Sequence, residues 1–505
     1  MYNVNYGSGL LKNKISFFGS ITTYKSDGYR QNSGGSGTSA FFSIGHYGDN
    51  DVVKLTTFTG ISKNQMAWSP SPESEILVDR TSNPLSKDEV DNFNQSMIQL
   101  QYTHSFTTNS ILSSTVYYNN LNGKYGVMYP NYDISEWYNV PVGVLTDHDL
   151  FNYKLSSNFF GGFVNYKLIL NNFVINTGVH LNTYNRKHIG VGNMLDIISY
   201  ENIGYKDDIS GYVKTKYTKN DLTLFGDLQI RKTQFNYKQI TQYATPNPVD
   251  TLSINWGTFI NPMGGITYKL SKNSKIYTSI GLTHREPTRT DMIGDDYWGL
   301  NSIKPESVID YELGYKLNTN KLNINVNLYY MYFNNQYIPT GEFNNVGLMN
   351  MISIDKSYRS GIEFDGKYQI FKNLSTSNTT TLSYNKIISN GLDFMLYSPN
   401  VIINQDVEYK LKEFYINLSA RYLSKSYINL NDKNDFCNDY ATLSSKIGYV
   451  NKDFDLSVSV VNLTNTKYYT FGNVSYYNDN DNIIKSKNYF VGVPISFYTT
   501  VKINL

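Results

Sequence analysis

Arg285-Glu-Pro-Thr-Arg289 is a dense cluster of charge that the sequence sets beside a backbone break. Two guanidiniums flanking a carboxylate can bind an anionic ligand, or they can brace the base of a loop, because Arg pairs with carboxylates in a bidentate fork. Pro287 has no N–H to continue a ladder, so the cluster marks where the strand Ile276–Thr283 gives way to a long loop. Aromatic residues crowd other polar stretches: Trp68, Tyr129, Tyr132, Trp137, Tyr138, Tyr297, Trp298, Tyr476 and Tyr477. Rings at a polar mouth suit flat or amphipathic ligands such as siderophores, porphyrins or sugars, and some rings serve only as interfacial anchors. The six His are scattered, with no pair at ligand spacing on one face, so no metal site is expected. Asp295-Asp296 and Asp479 with Asp481 match no calcium-loop template and read as solvated loop acids. The single Cys437 excludes a disulfide scaffold. No nucleophile–base pair, phosphate loop or dinucleotide fingerprint is present, so neither catalysis nor a cofactor is expected.

The elements that must position these residues are strands. Asp221 to Arg231 puts Leu222, Leu224, Leu228 and Ile230 on one face and Thr223, Asp227, Gln229 and Arg231 on the other. The same alternation runs from Lys321 to Phe333, from Phe414 to Arg421 and from Phe454 to Val460. Side chains on a strand point alternately to opposite faces, so each segment is a two-faced strand. Each is about 9–11 residues, enough to cross a bilayer when tilted. Tyr and Phe close the apolar faces repeatedly, as at Tyr117, Tyr118, Tyr330, Tyr332 and Tyr422, where a ring can be buried while its hydroxyl stays wet. Composition agrees. The 505 residues carry 44 basic and 42 acidic side chains, a formal net charge of +2, which excludes a nucleic-acid binder held by bulk charge. Mean hydropathy is −0.40, and no apolar run reaches the ~18 residues of a membrane helix. A membrane β-barrel is not excluded, because only alternate residues face lipid.

Short turns rich in Asn and Asp sit near Lys12-Asn13, Asp49-Asn50, Thr108-Asn109, Asn171-Asn172, Asn220-Asp221 and further sites to Lys452-Asp453. Between them lie longer polar stretches, among them Lys63–Asn94, Leu121–Leu150, Asn185–Asp208, Lys232–Trp256 and Asn465–Lys487. Short turns on one side and long loops on the other predict an outer-membrane barrel. About ten hairpins plus a C-terminal strand give about twenty-one strands. An odd antiparallel count leaves the first and last strands parallel, so one further strand is expected before Met1. Met1 to Leu11 itself reads as strand, with neither the basic nor the apolar region of a signal peptide.

The stretch from Ile276 to Ile388 is the most marked. It contains Leu282-Thr-His-Arg-Glu-Pro-Thr-Arg-Thr-Asp291, Lys304-Pro-Glu306, Asp310-Tyr-Glu-Leu-Gly-Tyr-Lys316, Thr340-Gly-Glu342 and Lys356-Ser-Tyr-Arg-Ser-Gly-Ile-Glu363; Val461-Asn-Leu-Thr-Asn-Thr-Lys-Tyr-Tyr469 follows near the end. Together these resemble the C-terminal β-barrel of TonB-dependent outer-membrane receptors of Bacteroidetes type, over essentially the whole chain. The resemblance implies a 22-stranded barrel in the outer membrane of a Gram-negative bacterium. It implies a plug in the lumen and, through it, the TonB–ExbB–ExbD machinery. It further implies uptake of a scarce nutrient, an iron–siderophore complex first. Against that pattern the sequence shows no signal peptide, TonB box or plug, so residues 1–505 read as one N-terminally incomplete barrel domain. The chain ends in Leu505, where family members usually carry an aromatic residue.

Candidate ligand contacts are Trp68, Tyr132, Trp137, Arg285, Arg289, Tyr297 and Trp298. Glu312 falls on the lumenal face of its strand and can pair with Arg359; by the resemblance Glu312, Arg359 and Glu363 are candidates for contact with the plug. Three other readings stay open: an inactive truncated fragment, a plugless passive pore, and a secreted β-rich adhesin or binding module.

Overall fold

The computed structural model describes residues 1–12, 14–130, 148–192, 198–242, 251–293, 304–343, 349–388, 391–479 and 482–504. The chain is all-β, and 21 strands join into one antiparallel sheet. In chain order the first wall strands are β1 (Tyr2–Gly7), β2 (Ile15–Ser26), β3 (Gly35–Tyr47), β4 (Asp51–Gln65), β6 (Val90–Thr107), β7 (Ser110–Pro130), β8 (His148–Leu170), β9 (Phe173–Gly192), β10 (Ile198–Lys219) and β11 (Leu222–Gln242). They continue as β12 (Thr251–Lys269), β13 (Ser274–Arg285), β14 (Glu306–Asn318), β15 (Leu322–Phe343), β16 (Met349–Phe371), β17 (Leu374–Ile387), β18 (Val401–Leu411), β19 (Phe414–Leu423), β22 (Tyr440–Val450), β23 (Phe454–Val461) and β26 (Ser496–Ile503). The remaining elements lie outside the wall: β5 (Ser71–Pro72), α1 (Glu73–Val78), α2 (Arg289–Ile293), β20 (Ser426–Tyr427), β21 (Phe436–Cys437) and the hairpin β24 (Tyr469–Asp479) with β25 (Asn482–Val491).

Each wall strand pairs with its neighbours in order. The tight turns fall where Asn and Lys were read as turn formers: Asn171, Asn220 and Lys412 take φ of 44°, 52° and 51°. Asn tolerates that region better than other non-glycine residues. Alternation holds as expected. Leu224, Leu228 and Ile230 on β11 and Leu328 and Tyr330 on β15 are all exposed apolar side chains, the face that hydrocarbon covers.

Two features differ from the expectation. Strands on one side run far past the 9–11 residues that alternation marks: β8 and β16 reach 23 residues each. Asn185–Asp208 and Lys232–Trp256, read as loops, are largely ladder. Above the bilayer both faces of a strand can be polar, so alternation fades while backbone pairing continues. Asn465–Lys487, also read as a loop, holds most of the β24–β25 hairpin.

The first and last wall strands are not joined. β1 pairs only with β2, and β26 only with β23, among the described residues. Both run from the loop side to the turn side, so they are parallel and the seam between them carries no ladder. The hydrophobic clusters do not fill the cylinder; they sit at its loop end, where Ile354 and Ile428 are fully buried.

Candidate functional site

The inner wall of β9–β13 gathers charges from distant parts of the chain. Arg231 on β11 sits on the face opposite Leu228 and Ile230 and points into the lumen. Its Nη1 and Nη2 each donate to Glu286, at 2.7 Å to the two carboxylate oxygens, and its Nε donates to Asp208 of β10 at 2.5 Å. Lys206 of β10 adds a second cation to Glu286 at 2.5 Å. Glu286 reaches this position because Pro287 ends β13, and because β13 stays paired with β12 only up to Gly281. Above that point the Asn261 side chain bridges the parted strands, accepting from the His284 N–H at 3.1 Å. Burial alone would raise the Glu286 carboxyl, but the hydrogen bonds from Arg231 and Lys206 outweigh it and hold its pKa at about 2. A register shift between Lys232 and Gln234 bends β11 against β12 beside the cluster.

One turn further, α2 presses Met292 against Phe235 and Tyr237, and Arg289 donates to the buried Asn202 at 3.1 Å while lying over the Tyr237 ring. Arg285 pairs with Glu306 at 2.9 Å at an exposed position. The two arginines of the motif therefore brace the loop base from either side, the structural alternative of the sequence reading. Below them a lumenal cavity of about 680 Å³ is lined by His180, Asn182, Tyr184, Arg186, Lys206 and Arg231 among others.

Above the cavity stands an aromatic shelf. Trp68 packs edge-on to Tyr125 at 5.3 Å, Tyr125 stacks on Tyr153 at 4.8 Å, and Phe151 and Tyr200 extend the group. The mouth is partly roofed by the β24–β25 hairpin. β25 pairs with β5, Tyr397 stacks on Phe471, and Tyr469 stacks on Tyr489. Arg30 ties this roof down, donating to the carbonyls of Ala67, Ser69 and Ser82 and to Ser71 Oγ, with Phe490 beneath its guanidinium. Gly341 permits the close approach of the 424–439 segment: its φ is 92°, and a Cβ there would clash with the Ile428 carbonyl. Lys485 bridges Asp432 and Asp435 on that segment, at 2.8 and 2.7 Å.

Of the residues marked in the sequence, Trp68 joins the aromatic shelf and Arg285 and Arg289 join the brace. Tyr132, Trp137, Tyr297 and Trp298 lie outside the described residues. Glu312 and Arg359 do not pair. Glu312 stands opposite Tyr329, which separates it from Arg359, and Arg359 lies over the Phe333 ring at 5.2 Å. Glu363 receives Asn327 at 3.4 Å. Sequence reasoning placed Arg231 on the polar face of its strand but found neither its partners nor Lys206, Asp208 and Asn202. Polarity at alternate positions was the only signal, and register decides the rest. Among the described residues no group of three His, Cys, Asp or Glu is placed to hold a metal ion. The arrangement offers a polar lumenal volume partly roofed at its loop end.

The family model for the TonB dependent receptor-like β-barrel matches residues 12–463. A search of curated protein sequences finds no match. Among solved structures, the closed form of the ferric-catecholate import receptor Fiu from Escherichia coli K12 aligns with a TM-score of 0.74 at 14% identity, over 99% of this chain and 81% of that one. The siderophore receptor PiuA from Acinetobacter baumannii gives 0.77 at 16%, over 99% and 78%. The copper transporter OprC gives 0.76 at 14%, over 99% and 78%. At these identities the likeness is one of fold, and the cargoes named for the three differ.

Proposed function

The chain belongs to the TonB-dependent receptor-like β-barrel family, and from that premise we propose that it is the outer-membrane wall of a receptor that takes up a scarce, bulky nutrient, an iron–siderophore complex first. Barrels of this family are Gram-negative outer-membrane proteins, and its members are transport receptors, not enzymes. The observation that carries the cargo reading is the polar lumenal cavity of about 680 Å³, lined by His180, Tyr184 and Arg186, with the half-buried rings of Trp68, Tyr125 and Tyr200 nearer the loop end. Rings and guanidiniums together suit an anionic ligand with flat, conjugated groups. Transport is energised through TonB–ExbB–ExbD acting on a plug seated in the lumen, with Glu312, Arg359 and Glu363 as plug contacts.

The unpaired seam favours a further element of this reading. One strand from outside residues 1–505, running from the turn side to the loop side, is antiparallel to both β1 and β26 and closes the cylinder. A second copy cannot serve, because two barrels inserted in the same direction present edges that also run in the same direction.

The cargo is tested by uptake of radiolabelled iron, presented as a panel of ferric siderophores, in a host lacking its own receptors. Energy-dependent uptake of at least one ferric complex is expected; uptake of copper or sugar with none of iron overturns the iron assignment. The plug is tested by planar-bilayer conductance of residues 1–505 alone. A flickering conductance, as an open seam allows, is expected; a large steady pore overturns the need for a closing strand, and electrical silence of a correctly inserted barrel overturns the need for a separate plug.

A further inference from the structure

The outward face of β17 and β18 carries carboxamides inside the apolar band. Alternate residues on β17 run Leu374, Thr376, Asn378, Thr380, Leu382, Tyr384; they pair with Tyr409, Val407, Gln405, Ile403 and Val401 on β18. Leu382, Tyr384, Val407 and Tyr409 are exposed apolar side chains, which mark this as the lipid-facing side. Leu374 to Tyr384 is about the length a tilted strand needs to cross the ~25 Å apolar band. Thr376, Asn378, Thr380 and Gln405 therefore stand in hydrocarbon. On the same face β15 presents Ile324, Val326 and Leu328, and β23 presents Leu456, Val458 and Val460.

Register sets Gly366, Asn378, Gln405 and Ala420 in one row across β16–β19. Asn378 donates to Gln405 Oε1 at 3.1 Å, Gln405 donates to Thr376 Oγ1 at 2.6 Å, and Thr380 donates to Asn378 Oδ1 at 2.9 Å. The remaining amide protons go to carbonyls of the wall, from Asn378 to Asn404 at 3.3 Å and from Gln405 to Ser377 at 3.0 Å. A carboxamide oxygen can accept two hydrogen bonds. Among the described residues Asn378 Oδ1 and Gln405 Oε1 each accept one. Lipid tails have nothing to offer these groups. In membranes such side chains bond across protein contacts, and small residues let the backbones approach.

A surface that answers this row must carry polar groups at the same depth, and the row itself does. A closed pair of barrels inserted in the same direction has its two-fold axis along the membrane normal, and that axis returns every depth to itself. An axis passing between Asn378 and Gln405 gathers the carboxamides of both copies at one point. Gly366 and Ala420, which flank them, leave room for the two walls to close. We propose that this face is the contact of a homodimer in the outer membrane, with these carboxamides at its centre. Phe364 with Tyr422, and Tyr368 with Leu418, end the adjoining rows and form its apolar margin. The contact is made by side chains and adds no ladder, so the seam between β1 and β26 stays clear of it. It rests on the barrel spanning the membrane and holds for any cargo.

The test is native mass spectrometry of the detergent-purified full chain. A dimer is expected, with no larger species. The double variant Asn378→Leu, Gln405→Leu suits hydrocarbon at both positions. It lowers the dimer-to-monomer ratio about tenfold while the folded band in unheated SDS gels persists. Ala420→Trp lowers the ratio as well with both carboxamides in place, because its bulk holds the walls apart. Monomer alone, open-ended oligomers, or an undiminished dimer in the folded double variant overturns the proposal. The last outcome would assign association to the open seam instead.

Discussion

The wall has a laced side and an open side. On the laced side β7 and β8 pair without a break from Ser110↔Leu168 to Pro130↔His148, and β9–β11 match them in length. Inside this stretch Lys206 and Asp208 of β10 and Arg231 of β11 close a network with Glu286, which stands just past the end of β13. On the open side β1 has six residues and β26 eight, each with one edge free of partners. The three most exposed apolar side chains of the described wall are there: Tyr2 at 79%, Val4 at 74% and Phe497 at 68%. An unpaired backbone group in hydrocarbon costs several kcal/mol, so the difference shows where the cylinder holds itself and where it needs help. Some help comes from above. The β24–β25 hairpin leaves the wall between β23 and β26, yet pairs with β5, which leaves it between β4 and β6. It thus clasps the two flanks of the seam at the loop end.

Breaking the laced side should cost most. Arg231→Ala strands Glu286 and Asp208 without their shared cation, and removing one partner of a buried pair costs about 3–5 kcal/mol. The expected readout is a lower unfolding midpoint in denaturant, with Arg231→Ala, Glu286→Gln recovering part of the loss. Acid produces a milder version of the same break. The Glu286 pKa is depressed to about 2 from an ordinary 4.5, so its contribution is complete above pH 4.5 and disappears as the pH falls toward 2. A denaturation midpoint that declines over that window in wild type, and less in the Glu286→Gln variant, is the expected pattern.

The clasp comes next. Arg30→Ala leaves several carbonyls of the 67–82 segment without their donor, and each stranded group costs about 1–3 kcal/mol. Protease cleavage confined to the hairpin and its 66–89 partner is expected, with the wall intact. The smallest effect belongs to the rim. Lys433→Ala removes an exposed pair with Asp393, and exposed pairs contribute little. Its denaturation midpoint should coincide with that of wild type; a clear loss would mean that the rim shares in holding the roof.

Much of the wall was legible in the sequence because the signal is local. Leu222 to Ile230 and Leu322 to Tyr330 declare their faces by a period of two, and Asn171 and Asn220 declare the turns. The polar upper strands were not legible: Asn185–Asp208 carries no alternation of hydrophobicity, since water wets both faces there. The site was half legible. Arg285 to Arg289 stood out, but that Glu286 would meet Arg231, 55 residues earlier in the chain, is a matter of register and curvature that no short window contains. The pairing expected of Glu312 and Arg359 failed for the same reason, with Tyr329 standing between them.

The sequence by itself determined an all-β, two-faced, membrane-spanning wall with short turns at one end and long loops at the other, because the hydrophobic effect acts on each residue according to its own strand parity. Only the tertiary structure decided which lumenal charges neutralise one another, that a loop hairpin clasps the flanks of the seam, and that β1 and β26 remain unjoined. Those outcomes depend on how many strands stand between two residues and in what register, and chain order alone does not carry that distance.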